Sequence, residues 1–555
     1  MTSTESSATA TFHDVASYDA VVVGAGFAGM YLIHKLRQDG LSVRAIEAGT
    51  DVGGTWYWNR YPGARCDVPS MEYSYGFDSE LEQSWEWTEI MAAQPEILGY
   101  ARHVADRFDL RRHISFSTRV VAAVFDEERA TWMVSTDRGD RLEAPFCIMA
   151  TGALSAANIP DIAGLERFRG PVLHTGAWPK QGVDLSGRVG IIGTGSSGVQ
   201  AIPVIAEQAE HLFVFQRTPG FTFPANNKAL RPDVQQAYKE NYAEVRERQR
   251  HSPNGFSNWS PIRKASLRET DGPRPARPEI RTDTPEQRKQ AWRTYGFGVF
   301  QRYSDVYQDL DANALAVDLF ADHVHEVVTD PAVAESLTPE GYPLGCKRQV
   351  LDTNFFETFN RANVTLVDLR RGAIVEITET GLRTTEGHYE LDTLIFATGF
   401  DAMTGALERI DLRGRGAVAL RDVWANGPST YLGLQVAGFP NLFTVTGPGS
   451  PSVLANVIVA IEQHVEWIAA CIGHLRANGF RTIEATAPAA QAWGLHVNEV
   501  AEGTMYVAPT CNSWYLGANI EGKARMFLPY VGGLGRYRAR CEEVVANGYE
   551  GFTLA

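Results

Sequence analysis

The sequence lacks a long apolar run and an excess of positive charge, and each absence excludes a class of protein. No stretch approaches the roughly 18 consecutive apolar residues that a membrane-spanning helix needs; residues 453–461 come closest, and Glu462 ends that run. The 51 Lys and Arg residues against 66 Asp and Glu give a formal charge of −15. We therefore expect no membrane or nucleic-acid partner, although a local basic pocket for one phosphate is compatible with this charge.

The sequence also lacks paired cysteines. Its six cysteines are far apart, without a CxxC motif for a redox dithiol or a metal ion: Cys66, Cys147, Cys346, Cys471, Cys511 and Cys541. We expect mostly buried free thiols, no metal site and a reducing, cytoplasmic compartment. Residues 1–17 are Ser- and Thr-rich without Lys or Arg, which predicts a disordered lead and no secretory or transit peptide.

A complete nucleotide-binding unit is present near the N-terminus. The β-rich run 18–23 leads into Gly24-Ala25-Gly26-Phe27-Ala28-Gly29, a helix pattern and a strand that ends on Glu47. Such glycines allow the backbone to approach a pyrophosphate at a helix N-terminus, and an acid at the end of the second strand suits a ribose hydroxyl. The sequence predicts FAD or NAD here.

A second glycine-rich loop lies in the middle of the chain. The strand 188–192 precedes Gly193-Thr194-Gly195-Ser196-Ser197-Gly198, and the next strand, 212–215, is followed by Arg217 without an acid. Because arginine forms a bidentate pair with a 2′-phosphate, this unit is predicted to bind NADPH.

Two similar strands, 146–149 and 393–396, each run into Ala-Thr-Gly and bracket the second glycine-rich loop. They predict an α/β fold with two Rossmann-like dinucleotide-binding domains, the NADP domain inserted in the FAD domain, and a helical insertion. A polar helix over 233–250 and an exposed loop over 252–285 are expected within that insertion. The predicted boundaries are a lead (1–17), an FAD part (18–155), an NADP part (156–225), the helical insertion (226–330), a second NADP part (331–392) and a second FAD part (393–555).

Two nucleotide units imply hydride transfer to a flavin but not its later chemistry. Disulfide reductases need a paired-cysteine site, which the spacing does not offer, so reaction with oxygen is the remaining common outcome. Such a reaction requires a place that holds an anionic, oxygenated flavin.

One segment carries a specific resemblance. Residues 168–179, FRGPVLHTGAWP, match the FxGxxxHTxxWP fingerprint of type I Baeyer-Villiger monooxygenases at every fixed position. Gly53-Gly54-Thr55-Trp56, followed by Tyr61-Pro62-Gly63 and Asp67, resembles the second signature of that family. The chain is most similar to the phenylacetone and steroid monooxygenase branch, from about Tyr18 to the C-terminus.

The resemblance implies NADPH- and O2-dependent oxidation of a small-molecule ketone to an ester or lactone through an FAD C4a-peroxide. Arg348 would stabilise that peroxide and Asp67 would hold Arg348. The implied FAD contacts are Gly24, Gly26, Phe27, Ala28, Gly29, Glu47, Gly54, Thr55, Trp56, Asp67, Tyr73, Val120 and Val457. The implied NADP contacts are Thr194, Gly195, Ser196, Ser197, Gly198, Gln200, Arg217, Thr218, Lys347, Arg348 and Trp514.

Further residues receive supporting roles. His174 and Trp178 are expected to couple domain movement to NADPH binding, because the Baeyer-Villiger step needs no protein base. The resemblance also makes Ser452 and Val453, in a Gly/Pro turn before a buried helix, candidates for a substrate pocket, and it implies bulky or aromatic ketones as substrates. Two alternatives stay open: a flavin monooxygenase that oxygenates amine nitrogen or thioether sulfur, and a non-catalytic flavin/NADP redox sensor.

Overall fold

The computed structural model describes residues 15–259 and 277–555. Most of the expected N-terminal lead, residues 1–14, lies outside this range. The expectation is wrong for its last residues, because Ala16–Ser17 is a strand that pairs with Leu142 and Glu143. Half of the expected loop over 252–285, residues 260–276, also lies outside the described residues.

The first glycine-rich loop belongs to a five-stranded parallel sheet. Its strand order is Leu442–Thr444, Phe146–Met149, Ala20–Val23, Val43–Ile46, Ile114–Ser115. The two central strands are buried at every position, as expected when both faces of a parallel sheet are covered. Helix Phe27–Gln38 makes the crossover and packs against helix Val457–Asn478.

A second five-stranded parallel sheet carries the other glycine-rich loop. Its order is Val364–Asp368, His211–Gln216, Arg188–Ile192, Thr393–Phe396, Val172–His174, with helix Ser196–Ala206 after the central strand. The α/β fold with two Rossmann-like units is thus confirmed. The strand Thr393–Phe396 pairs here with Arg188–Ile192, so placing residues 393–396 in the FAD part was wrong; a buried strand sequence does not reveal its sheet.

Smaller sheets complete the β structure. One mixed sheet has the order Ala16–Ser17, Arg141–Ala144, Thr131–Thr136, Val120–Asp126, Asp411–Arg413. An antiparallel sheet contains Ile374–Thr378, Gly381–Thr384 and His388–Glu390. Two strand pairs are Thr222–Pro224 with Val350–Asp352, and Ile483–Ala485 with Phe552–Leu554.

The helical insertion divides its contacts between the two hydrophobic cores. The predicted polar helix over 233–250 is two helices, Pro232–Glu240 and Tyr242–His251, separated at Asn241. Tyr242 packs in the core of the first unit, and the Arg246 guanidinium lies 2.8 Å from Glu82 with both side chains nearly buried. The later helices of the insertion, Pro285–Tyr295 and Leu310–Val327, contribute to the core of the second unit, as does the helix Pro331–Leu337 directly after the insertion.

The remaining helices surround these sheets. The α-helices are Thr55–Trp58, Ser79–Ser84, Gln94–Arg107, Phe355–Thr358, Gly405–Glu408, Leu420–Val423, Ala487–Ala501 and Leu534–Ala546. The 3-10 turns are Arg111–His113, Leu165–Arg167, Thr175–Ala177, Ile280–Thr282, Gly296–Arg302, Arg415–Ala417, Ser452–Leu454, Met505–Val507 and Trp514–Leu516. Within residues 15–259 and 277–555, no helix is long and apolar enough to cross a membrane.

The cysteines differ from expectation in one respect. Cys66, Cys147, Cys471 and Cys541 are buried free thiols, as expected. Cys346 and Cys511, however, form a disulfide with Cα atoms 5.9 Å apart. These two residues are 165 positions apart in the sequence, so spacing gave no sign of the pair.

Candidate active site

The first glycine-rich loop forms a cradle that only glycine permits. Gly24 has a φ of +107°, and a Cβ there would lie 2.5 Å from the carbonyl oxygen of Ala150. Gly26 faces Gly54 closely, since a Cβ on Gly54 would lie 2.8 Å from the Gly26 Cα. No side chain caps the helix that begins at Phe27, so the N–H groups of its first turn have no side-chain acceptor at the N-cap. This arrangement fits a pyrophosphate.

Glu47 lies at the end of the second strand and reaches back to the loop. Its Oε2 accepts a hydrogen bond from the Ala25 N–H at 2.8 Å, and its Oε1 accepts one from the Gly49 N–H at 2.6 Å. Burial raises the pKa of this carboxyl. Each carboxylate oxygen can accept a second bond, so the position fits the ribose hydroxyls of FAD.

The second signature packs directly on this loop. Gly54 precedes the short helix Thr55–Trp58, in which Trp56 is buried and donates from its indole N–H to the Tyr73 hydroxyl at 3.1 Å. Tyr73 is buried, and Val120 begins a strand as a buried residue. Val457 begins the helix Val457–Asn478 and packs, partly buried, against the same core.

The second loop repeats the cradle with room at its centre. Gly193 has a φ of +108°, and a Cβ there would lie 2.6 Å from the Ala397 carbonyl oxygen. A Cβ on Gly195, by contrast, would meet no atom within 4 Å. The helix that starts at Ser196 has no side-chain cap either. This geometry fits a second dinucleotide.

Other predicted NADP residues of this unit have partners within the protein. The Thr194 hydroxyl donates to Gln216 Oε1 at 3.1 Å. The Gln200 side-chain amide accepts from the Tyr61 hydroxyl at 2.8 Å and donates to the Arg65 carbonyl at 3.1 Å. Gln200 therefore joins the second unit to the segment that follows the second signature.

Lys347 and Arg217 place two positive charges near each other. Burial and the neighbouring Arg217 lower the pKa of the Lys347 amine to about 8. The Lys347 Nζ lies 4.0 Å from the centre of the Tyr342 ring, and Arg217 and Thr218 are exposed after their strand. Within the described ranges neither cation forms an ion pair with a carboxylate. Two unpaired cations at this strand end fit a 2′-phosphate.

Arg348 is held from three sides. Its Nη2 lies 2.5 Å from Oδ2 of Asp67, and its Nη1 donates to the Val453 carbonyl at 3.2 Å. Asp67 first, and then the adjacent Tyr515, hold the pKa of the guanidinium above its ordinary value. The Arg348 side chain keeps 34% of its surface exposed. The result is a fixed, permanent cation that still has an open face.

The candidate pocket residues converge on this cation. Val453 packs with Trp514, Met403 and Leu528 in one apolar cluster while its carbonyl binds Arg348. Ser452 is buried, and its hydroxyl is directed at the Met403 sulfur, 3.7 Å away. The structure thus brings Arg348, Trp514 and the predicted pocket residues together.

His174 and Trp178 lie where the two units meet. His174 Nδ1 accepts from the Gly176 N–H at 2.9 Å, and the ring lies near the backbone of Asn158 and of Gly399, the glycine of the second Ala-Thr-Gly. Burial lowers the pKa of this histidine, which favours the neutral ring. The Trp178 N–H donates to the Trp58 carbonyl at 3.2 Å, which links the fingerprint to the second signature.

Sequence reasoning missed Tyr515 and the disulfide. Tyr515 is buried and touches Arg348. It directly follows Trp514, and that adjacency was the one available signal. Within the described residues, no group of three or more His, Cys, Asp or Glu could hold a metal ion.

Known proteins similar to this chain include pyridine-nucleotide oxidoreductases and flavin-dependent monooxygenases. Residues 18–257 match the family model of pyridine nucleotide-disulphide oxidoreductases. A Baeyer-Villiger monooxygenase of Pseudooceanicola batsensis is 41% identical and is covered to 96%, as is this chain. A phenazine N-monooxygenase of Lysobacter antibioticus is 40% identical, with 98% of each chain covered. A solved structure of oxidized steroid monooxygenase bound to NADP is 49% identical, has a TM-score of 0.88, and covers 97% of this chain and 99% of its own.

Full-length identity of this order, together with two dinucleotide cradles and a fixed cation beside the second signature, confirms the predicted family and its cofactors. The chain belongs to the type I Baeyer-Villiger monooxygenases, a family of flavoenzymes that use FAD and NADPH.

Proposed function

We propose that the chain oxidises a ketone to an ester or lactone with NADPH and O2. We further propose that Arg348 is the catalytic cation of this reaction and that Asp67 holds it in place. The observation that carries this proposal is the Arg348–Asp67 contact of 2.5 Å, with part of the guanidinium left open. A charge fixed before the reaction stabilises negative charge on an oxygen beside it without any reorganisation. The guanidinium needs no proton transfer to do so, because it stays charged at every working pH.

FAD, when bound, supplies electron transfer and oxygen activation. The first glycine loop and Glu47 would hold its pyrophosphate and ribose, at Gly24, Gly26, Phe27, Ala28, Gly29 and Glu47. Residues of the second signature and its neighbours would orient the ring system: Gly54, Thr55, Trp56, Asp67, Tyr73, Val120 and Val457. The close approach of Gly26 to Gly54 supports one continuous site.

The NADPH site would use the second loop together with the paired cations. Thr194, Gly195, Ser196, Ser197, Gly198 and Gln200 would line the pyrophosphate side, and Arg217, Thr218 and Lys347 would bind the 2′-phosphate. Trp514 and Arg348 would contact the bound nucleotide near the flavin. His174 and Trp178 would couple its binding to movement between the units, since both contact backbone at the junction.

The ketone would enter beside Ser452 and Val453. The apolar cluster of Met403, Leu528 and Trp514 around Val453 favours a bulky or aromatic ketone. The 49% identity to a protein named steroid monooxygenase supports the same direction. O2 would be the second small-molecule partner, and no nucleic-acid or membrane partner is proposed.

We propose the domain boundaries of the sequence analysis with two changes: the lead ends before the strand Ala16–Ser17, and the second FAD part begins after residue 396. We propose a cytoplasmic location, since four cysteines are buried free thiols and a single disulfide in that compartment is usually transient or redox-sensing. The insertion of residues 226–330 would contact both units, as its helices pack on both cores.

A second candidate function is oxygenation of an amine nitrogen, which the 40% identical phenazine N-monooxygenase favours. A fixed cation favours the first candidate, because it stabilises an anionic, nucleophilic oxygen that attacks a carbonyl carbon. The two are separated by turnover of matched aryl ketones and heteroaromatic amines. Ester from the ketones supports the proposal, and N-oxide without any ester contradicts it.

A further inference from the structure

The Cys346–Cys511 disulfide joins the two segments that carry the central site residues. Cys346 directly precedes Lys347 and Arg348, and Cys511 lies three residues before Trp514. We propose that this disulfide positions Arg348 and that its oxidation state controls how much of the NADPH consumed yields oxygenated product. The inference rests on the proposed role of Arg348.

The two segments are otherwise anchored to different parts of the protein. Next to Arg348, the Gln349 side chain donates to the Tyr307 hydroxyl at 2.6 Å, within the helical insertion. On the other side, Arg525 donates to the Cys511 carbonyl at 2.7 Å, and Asn519 donates to the Phe400 carbonyl at 2.8 Å. These hydrogen bonds do not connect the Cys346 segment to the Cys511 segment, so the disulfide fixes the distance between them.

Tyr515 shows why that distance matters. It lies in the 3-10 turn Trp514–Leu516 and touches the Arg348 guanidinium. Asp67, which belongs to neither of the two cysteine segments, binds Arg348 as well. If the Cys346 segment moves away from the Cys511 segment, Arg348 loses the Tyr515 contact before it loses Asp67. The cation would then stay bound to its carboxylate but shift from its working position.

Opening and closing the disulfide are balanced two-electron steps. A dithiol reductant gives two electrons and two protons to the sulfurs, which become two thiols while the reductant becomes a disulfide. Hydrogen peroxide reverses the change: both thiols lose a proton and an electron each, the S–S bond forms, and the peroxide leaves as two waters.

Because the disulfide is buried, the rate of its reduction measures how often the two segments separate. Both cysteines are fully buried, at 0% exposure, so a reductant reaches the sulfurs only when the segments separate. A nucleotide that binds Lys347, Arg348 and Trp514 contacts both segments and opposes their separation. Bound NADP+ should therefore slow the reduction, and by linkage the intact disulfide should favour the nucleotide-bound arrangement.

The first test needs no turnover. Purified holoenzyme is treated with dithiothreitol with and without NADP+, and the free thiols are alkylated and mapped to Cys346 and Cys511 by mass spectrometry. We expect a disulfide in the untreated protein and reduction slowed about tenfold by NADP+. Two outcomes would overturn the proposal. One is two free thiols in the untreated protein that persist when it is incubated with hydrogen peroxide, and the other is equal rates of disulfide reduction with and without NADP+.

The second test follows ester formed per NADPH consumed. We expect a loss of about tenfold in reduced wild type and in Cys346→Ser, a smaller effect than the hundredfold cost of a 1 Å misplacement. Reoxidation with peroxide should restore the wild type but not the variant, and dithiothreitol should not lower the variant further. The matched control is Cys471→Ala, a buried free thiol elsewhere, which should respond to the reductant as wild type does.

The outcomes separate this inference from the role of Arg348. If Arg348→Ala abolishes ester while reduction leaves the wild-type ratio unchanged, the disulfide has no positioning role and the proposed function stands. If Arg348→Ala still forms ester, the proposed function fails, and so does control of the product ratio through Arg348.

Discussion

The Asp67 carboxylate lies 2.5 Å from the Arg348 guanidinium, although 281 residues separate them in the chain. Asp67 follows the second signature of the first unit, and Arg348 follows the helices of the insertion. The pair therefore forms only when both parts are folded against each other. It fixes a positive charge between the second signature and the Val453 carbonyl.

Replacing the cation tests its role directly. Arg348→Ala should retain bound FAD, because the two glycine cradles are untouched, but ester formation should fall by about 10²- to 10³-fold, as when an oxyanion donor is removed. Flavin absorbance and ester yield per NADPH are the measurements. Arg383→Ala is the matched control, since that exposed arginine pairs with Glu376 in the small antiparallel sheet. A wild-type ester yield in Arg348→Ala would show that another group supplies the catalytic charge.

Removing the charge of Asp67 should have a smaller effect. Asp67→Asn keeps an acceptor beside Arg348, which stays bound to the Val453 carbonyl, so the cation loses alignment and not charge. We expect a loss of about tenfold in ester yield, between wild type and Arg348→Ala, which corresponds to ~1.4 kcal/mol. A loss as large as that of Arg348→Ala would show that Asp67 has a direct chemical role.

Lys347 should make NADPH use depend on pH. Its pKa of about 8 lies below the ordinary lysine value, so the amine is charged below pH 8 and loses its proton as the pH rises through 8. Because a neutral amine binds phosphate weakly, kcat/KM for NADPH should fall above pH 8, and this parameter reports the free enzyme.

The controls for Lys347 use the coenzyme and the variant. NADH lacks the 2′-phosphate and should show no fall near pH 8, and Lys347→Arg should flatten the NADPH profile because arginine stays charged. An identical fall of kcat/KM with NADH above pH 8 would show that a group other than Lys347 causes the pH dependence.

Arg217 should determine the choice between coenzymes. Arg217→Ala should raise the KM for NADPH by about tenfold or more, the effect of losing a charge-assisted hydrogen bond, and leave the KM for NADH nearly unchanged. Steady-state kinetics with both coenzymes measure this. A proportional loss with both would contradict the phosphate assignment.

The sequence predicts the parts of the site that local spacing encodes. Gly24 and Gly193 precede helices, and their positive φ angles follow from the glycine-rich pattern. Glu47 and Arg217 end strands that the β-rich runs already indicate. For these residues, a short stretch of chain contains all the information that the geometry needs.

Other features depend on contacts between distant parts of the chain. The pairing of Thr393–Phe396 with the second sheet and the disulfide of Cys346 with Cys511 both require the folded arrangement. Tyr515 likewise touches Arg348 only because two segments meet. No spacing rule relates such positions, so sequence reasoning alone missed them.

The most direct test of the central claim is the fate of oxygen during turnover with an aryl ketone. Holoenzyme, NADPH and oxygen-18 gas are supplied, and the products are identified by mass spectrometry. We predict an ester that carries one oxygen-18 atom for each NADPH oxidised, and almost none in Arg348→Ala. NADPH oxidation without labelled ester, or N-oxide from an amine with no ester from any ketone, would contradict the account.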